Sequence, residues 1–185
     1  MSTNSPPPLG VSALRLAPHP ATPCSWVDSV TAMIARDGSG PVTGRFLLSG
    51  DVSRLRVPSA AADPVRSDGL WRTTCFELFA RAPSSACYVE FNFSPSGNWA
   101  AYQFDGYRQG MQQLDTPAPA IALEQQAGSL ILHFNIPAPV LGAGPQQIAA
   151  SAVLEDREGR LYYWALRHPE GKPDFHHESA FAAHL

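Results

Sequence analysis

Tyr88-Val89-Glu90-Phe91-Asn92-Phe93-Ser94-Pro95-Ser96-Gly97-Asn98-Trp99-Ala100-Ala101-Tyr102-Gln103-Phe104 decides the fold. Two apolar runs flank a cluster of turn formers, and the first run alternates apolar with polar residues, the mark of a strand with one face in a core. In that run Val89, Phe91 and Phe93 point inward, which leaves Tyr88, Glu90 and Asn92 on the opposite face. A turn at Pro95 to Gly97 that pairs Asn92 with Trp99 adds Trp99, Ala101 and Gln103 to that face and sends Ala100, Tyr102 and Phe104 to the core. In the preceding strand Phe76 and Leu78 face the core, so Cys75, Glu77 and Phe79 face outward. The short connection that follows places Glu77 opposite or diagonal to Glu90.

Similar runs cover residues 13–16, 27–35, 44–48, 73–80, 121–124, 130–136, 148–154 and 161–166. A second hairpin signal lies at Glu155 to Arg160, and residues 57–69 and 105–116 read as longer loops. Short runs rich in Val, Ile, Phe, Tyr and Trp, separated by turn signals, predict an all-β fold: a jelly-roll-like antiparallel β-sandwich of about ten strands. The 18 Pro and 14 Gly leave little room for long helices, and 44% hydrophobic residues exclude a disordered chain. At 185 residues, one domain over residues 11–185 is expected, preceded by a flexible tail over 1–10 that contains Pro6, Pro7 and Pro8.

The net charge of -3, with 13 scattered basic residues, gives no electrostatic footprint for nucleic acid. No signal peptide is visible, and no run of apolar residues approaches a membrane span, so no membrane partner is expected. Cys24, Cys75 and Cys87 are an odd set without a paired spacing. They fit a reducing compartment, and the expected location is the cytoplasm.

The outward face holds Tyr88, Glu77, Glu90, Asn92, Trp99 and Gln103. A flat aromatic stacks on the C–H face of a sugar ring, and carboxylates and carboxamides bond its vicinal hydroxyls. A saccharide or sugar-containing small molecule is therefore the expected ligand. The competing reading is an ordinary solvated strand face. Two neighbouring glutamates weigh against it, because like charges destabilise a sheet unless a cation, a ligand hydroxyl or an arginine such as Arg72 or Arg108 relieves them.

Residues 70–79, residues 88–99 and the ending Gly171-Lys172-Pro173-Asp174-Phe175-His176-His177 together resemble the DOMON-like domains related to family 9 carbohydrate-binding modules, in a bacterial stand-alone form. The resemblance implies a β-sandwich without catalytic activity, in a superfamily that binds sugars or haem. It aligns Trp71 with the family's aromatic before the acidic strand, Glu77 with its hydroxyl-binding carboxylate, and Trp164 with a second stacking aromatic near the C-terminus. Modules of this kind are usually secreted and joined to hydrolases, whereas this sequence shows no export signal. A polysaccharide-degrading setting is not expected, and a partner enzyme is left open.

Asp174, His176 and His177 have the chemistry of metal ligands, but their spacing matches no established motif. The favoured reading is an ordered loop stiffened by Pro169 and Pro173 and anchored by Phe175 and Phe181. No cofactor is expected. Haem, the alternative, needs an inward Met or His on facing strands, for which Met33, Met111 and His133 are the candidates. Glu77 and Glu90 as a glycosidase pair would sit too close to flank a scissile bond, and no nucleophile elbow or phosphate loop is present. A protein-docking surface remains the other alternative to sugar binding.

Overall fold

The computed structural model describes residues 13–137 and 139–185. The expected tail over residues 1–10 lies outside them. Strands hold 47% of the chain and helix 5%. In chain order they are β1 (Leu14–Pro18), β2 (Val27–Arg36), β3 (Val42–Gly50), β4 (Cys75–Arg81), β5 (Tyr88–Phe93) and β6 (Trp99–Phe104). There follow β7 (Gln112–Gln113), β8 (Ala120–Gln126), β9 (Ser129–Ile136), β10 (Gln147–Glu155), β11 (Leu161–Ala165) and β12 (Ala183–His184). Every expected run overlaps a strand. The additions, β7 and β12, are two residues each and too short to leave a pattern.

The hydrogen-bonded order is β7-β6-β5-β4-β10-β11-β1-β2-β3-β9-β8, with β12 beside β10. β1 turns the corner between two sheets: Leu14 to Leu16 pair with β2, whereas Ala17 and Pro18 pair with β11. The layers meet through aromatic rings. Phe46 of β3 lies 5.1 Å from Phe76 of β4, and Phe134 of β9 stacks on Phe93 of β5 at 4.6 Å. That is the antiparallel sandwich the periodicity predicts.

The β5–β6 hairpin differs from expectation by one residue. The Ser94 N–H donates to the Asn98 carbonyl and the Gly97 N–H to the Ser94 carbonyl, with Gly97 left-handed at a φ of 90°. This turn sets Phe93 opposite Trp99 and Asn92 opposite Ala100. Because side chains alternate with period two, a slip of one residue turns the whole strand over. Trp99 and Ala101 therefore lie in the main core, and Ala100, Tyr102 and Phe104 take the other face.

That other face is not open. Phe79, Tyr88, Tyr102, Phe104 and Val153 form a second apolar layer, on which Phe175, Ala180 and Phe181 of the C-terminal segment pack. The segment is anchored as its aromatics suggested, but onto the outer face of the β4–β5–β6 sheet. Among the described residues no helix is long and apolar enough to cross a membrane.

Candidate functional site

Under this cover lies a cleft of about 540 Å³. Its polar floor comes from adjacent strands. Alternation puts Glu77 of β4 and Glu90 and Asn92 of β5 on the covered face, with Glu77 opposite Asn92 and Glu90 opposite Phe79. The glutamates are thus diagonal neighbours, with 3% and 5% of their surface exposed. Ser151 of β10, directly opposite Glu77, donates its hydroxyl to Glu77 Oε2 at 2.9 Å. Asn92 Nδ2 donates to Glu90 Oε1 at 2.6 Å.

Burial and the neighbouring Glu90 charge push Glu77 up to about 8, against the Ser151 hydrogen bond. Burial likewise pushes Glu90 up to about 7, against its Asn92 bond and the Arg108 charge. The two titrate as a pair, and near neutrality they hold a proton between them. Such a pair both donates and accepts, which suits a hydroxyl-rich ligand.

The walls are aromatic. Tyr102 and Phe104 rise from β6, Tyr163 from β11 and Phe175 from the covering segment, while Trp71 leans over from a 3-10 turn at Leu70–Arg72. Trp71 meets Tyr102 edge to face at 6.2 Å and is 36% exposed, a ring with a free surface at the cleft. The Tyr102 hydroxyl is held by Asp68 Oδ1 at 2.6 Å.

Arg108 and Asp174 latch the cover. Arg108 is left-handed at a φ of 54°, in a loop closed by Gly110, where a Cβ would sit 2.0 Å from Asp105 Oδ2. Its guanidinium donates to Asp174 Oδ1 at 2.8 Å, and the Tyr107 hydroxyl donates to the other oxygen. Burial opposes ionisation of Asp174, but these bonds outweigh it and hold the carboxyl below its usual range. The Asp174 side chain also accepts the His176 N–H at 3.1 Å. Burial, with the Arg108 charge, pushes His176 down to about 4, so the imidazole is neutral. Its Nδ1 is 2.7 Å from the Tyr88 hydroxyl and its Nε2 is 3.8 Å from Glu90 Oε2, beyond hydrogen-bond reach.

Of the expected residues, the cleft gathers Trp71, Glu77 and Glu90, with Asn92 beneath Glu90 and Tyr88 packed behind His176. Trp99 is in the opposite core, with the Arg66 guanidinium 4.3 Å from its ring, and Gln103 points to solvent, both for the register reason above. Trp164 is also on the core side, opposite Ala152; its neighbour Tyr163 faces the cleft. Asp174 and His177 are taken up by the latch and by a bond to Ser179, so neither faces His176 as a ligand set. Met33 and His133 sit on the outer side of the second sheet, against Arg45 and Glu124, and Met111 lines the cleft. These three form no inward pair on facing strands.

Sequence reasoning missed Tyr102, Phe104, Tyr163 and Ser151 as site residues. The first two were hidden by the register slip. Tyr163 and Ser151 lie in runs that are apolar on both faces, where alternation gives no parity.

No family profile matches this sequence, and none of the curated proteins matches it. Among solved structures, one from Bacteroides uniformis, provisionally described as a carbohydrate-binding protein, matches at a TM-score of 0.66 and 14% identity. The match covers 92% of this chain and 84% of that one. A family 9 carbohydrate-binding module from Caldicellulosiruptor kristjanssonii, in complex with cellotriose, matches at a TM-score of 0.50 and 10% identity, over 87% of this chain and 75% of that one. At these identities the likeness establishes a shared architecture: this chain has the fold of those carbohydrate-binding structures.

Proposed function

We propose that this protein is a non-catalytic saccharide-binding protein and that the covered cleft is its site. The carrying observation is two buried carboxyls on the floor of a cleft walled by Trp71, Tyr102, Phe104 and Tyr163. The volume falls in the range of small-molecule pockets and suits one or two sugar rings. Trp71 would stack on the C–H face of a ring, while Glu77 and Glu90 would bond its hydroxyls, one as donor and one as acceptor.

The fold shared with carbohydrate-binding structures supports the same reading by analogy. A concave, polar-floored site fits a small ligand better than a protein-docking surface, which is flatter and larger. Calorimetric titration with glucose, cellotriose and a panel of short oligosaccharides tests the proposal. Saturable binding weakened by Trp71→Ala and by Glu77→Gln, with the fold intact, is expected. No binding across the panel, or a haem absorbance band in the purified protein, would overturn it.

A further inference from the structure

No arginine or lysine among the described residues is bonded to the glutamates on the floor of the cleft. Among the described residues Glu77 Oε1 and Glu90 Oε2 have no hydrogen-bond donor, although both side chains are more than nine-tenths buried. Two arginines line the cleft without bonding either glutamate: Arg108 is bonded to Asp174, although its charge reaches both carboxyls, and Arg72 is exposed. His176, which faces Glu90 from the covering segment, is neutral. Ser151 and Asn92 each satisfy one oxygen only, and Cys75, the remaining titratable neighbour on β4, is a buried thiol held in its protonated form.

Two carboxyls with free oxygens beneath aromatic rings are the chemistry that receives an ammonium group: the carboxylates neutralise it and the ring faces attract it. We propose that the ligand is an amine-bearing saccharide, whose protonated amine sits on Glu77 and Glu90 while its ring packs against Trp71. This rests on the saccharide reading and narrows it. Seating a cation on the pair drives its shared proton out to solvent, so binding is coupled to proton release. A hydroxyl in the same place leaves the proton where it is.

The test compares chitosan oligomers and glucosamine with N-acetylglucosamine oligomers, with cello-oligosaccharides and with ethylammonium. Each is titrated calorimetrically in two buffers of different ionisation enthalpy. The proposal expects the amino saccharides to bind about tenfold or more tightly than their neutral counterparts, the scale of one charge-assisted hydrogen bond. It also expects proton release with the wild-type protein, a measurement that needs no variant. Glu77→Gln and Glu90→Gln, each checked for folding by circular dichroism, should remove the preference for the amine.

Neutral saccharides binding as tightly as amino ones would overturn the inference and leave the saccharide reading standing. No binding of any saccharide would overturn both. Equal binding of ethylammonium would overturn it by showing that the ring is not recognised, and calcium ions competing for the same pair would overturn it in favour of a metal.

Discussion

Glu77 and Glu90 are diagonal neighbours across the β4–β5 ladder, on the same covered face of the sheet, and neither is bonded to an arginine or lysine. Two buried like charges so placed would destabilise the sheet, and the molecule relieves the conflict by retaining protons.

That relief makes stability fall with rising pH. Both carboxyls ionise near about 4.3 in the unfolded chain. In the folded chain they hold their protons up to about 8 and about 7. The stabilisation is therefore complete below the unfolded value and lost as pH rises through the folded ones. His176 acts in the opposite sense, because its folded value lies near 4, but its contribution is complete above about pH 6.5. Between about pH 6.5 and pH 8 the melting temperature should decline by several degrees. Glu77→Gln should flatten the decline, and a wild-type curve that rises across this window would contradict the assignment.

Trp71→Ala and Trp99→Ala should separate binding from packing. Trp99 is buried in the main core, so its truncation should cost about 3–5 kcal/mol of stability in denaturant unfolding. Trp71 is 36% exposed, so its loss should cost less than about 1 kcal/mol while weakening saccharide binding. The reverse pattern would show that the register of β6 is wrong.

Breaking the latch should loosen the cover. Asp174→Asn weakens the bond to Arg108 at 2.8 Å, a pair with side chains 51% and 17% exposed. Pairs this exposed contribute on the order of 1 kcal/mol or less, so the melting temperature should barely move. Amide hydrogen exchange over residues 173–181 should accelerate several-fold, the signature of local opening. Unchanged exchange there would mean that Phe175 and Phe181 hold the segment unaided.

Gly97→Val should destabilise the hairpin that sets the register. Gly97 is left-handed at a φ of 90°, and an added Cβ would lie 3.0 Å from Pro64 Cγ. A β-branched residue there should cost about 1–3 kcal/mol, measured by chemical denaturation. A neutral result would mean the turn tolerates another conformation.

The strands were legible because each apolar run is short and punctuated, and the parity of β4 and β5 was legible because Phe76-Glu77-Leu78 and Phe91-Asn92-Phe93 alternate. β6 was not: Trp99, Ala100, Ala101 and Tyr102 are all compatible with burial, so only the Ser94–Asn98 bond decides which face each takes. Trp164 was undecidable for the same reason, since Tyr163 and Trp164 are both aromatic. The cover was invisible because residues 167–182 carry no period; their position follows from Asp174, Phe175 and Phe181 finding partners far away in sequence.

Backbone amide shift mapping during a saccharide titration shows whether ligand enters the cleft above Glu77 and Glu90. Saturable shifts are expected at residues 75–79, 88–92, 102–108 and 173–176. Shifts confined to β2, β3 and β9, on the outer side of the other sheet, or none with a saccharide that calorimetry shows to bind, would contradict it.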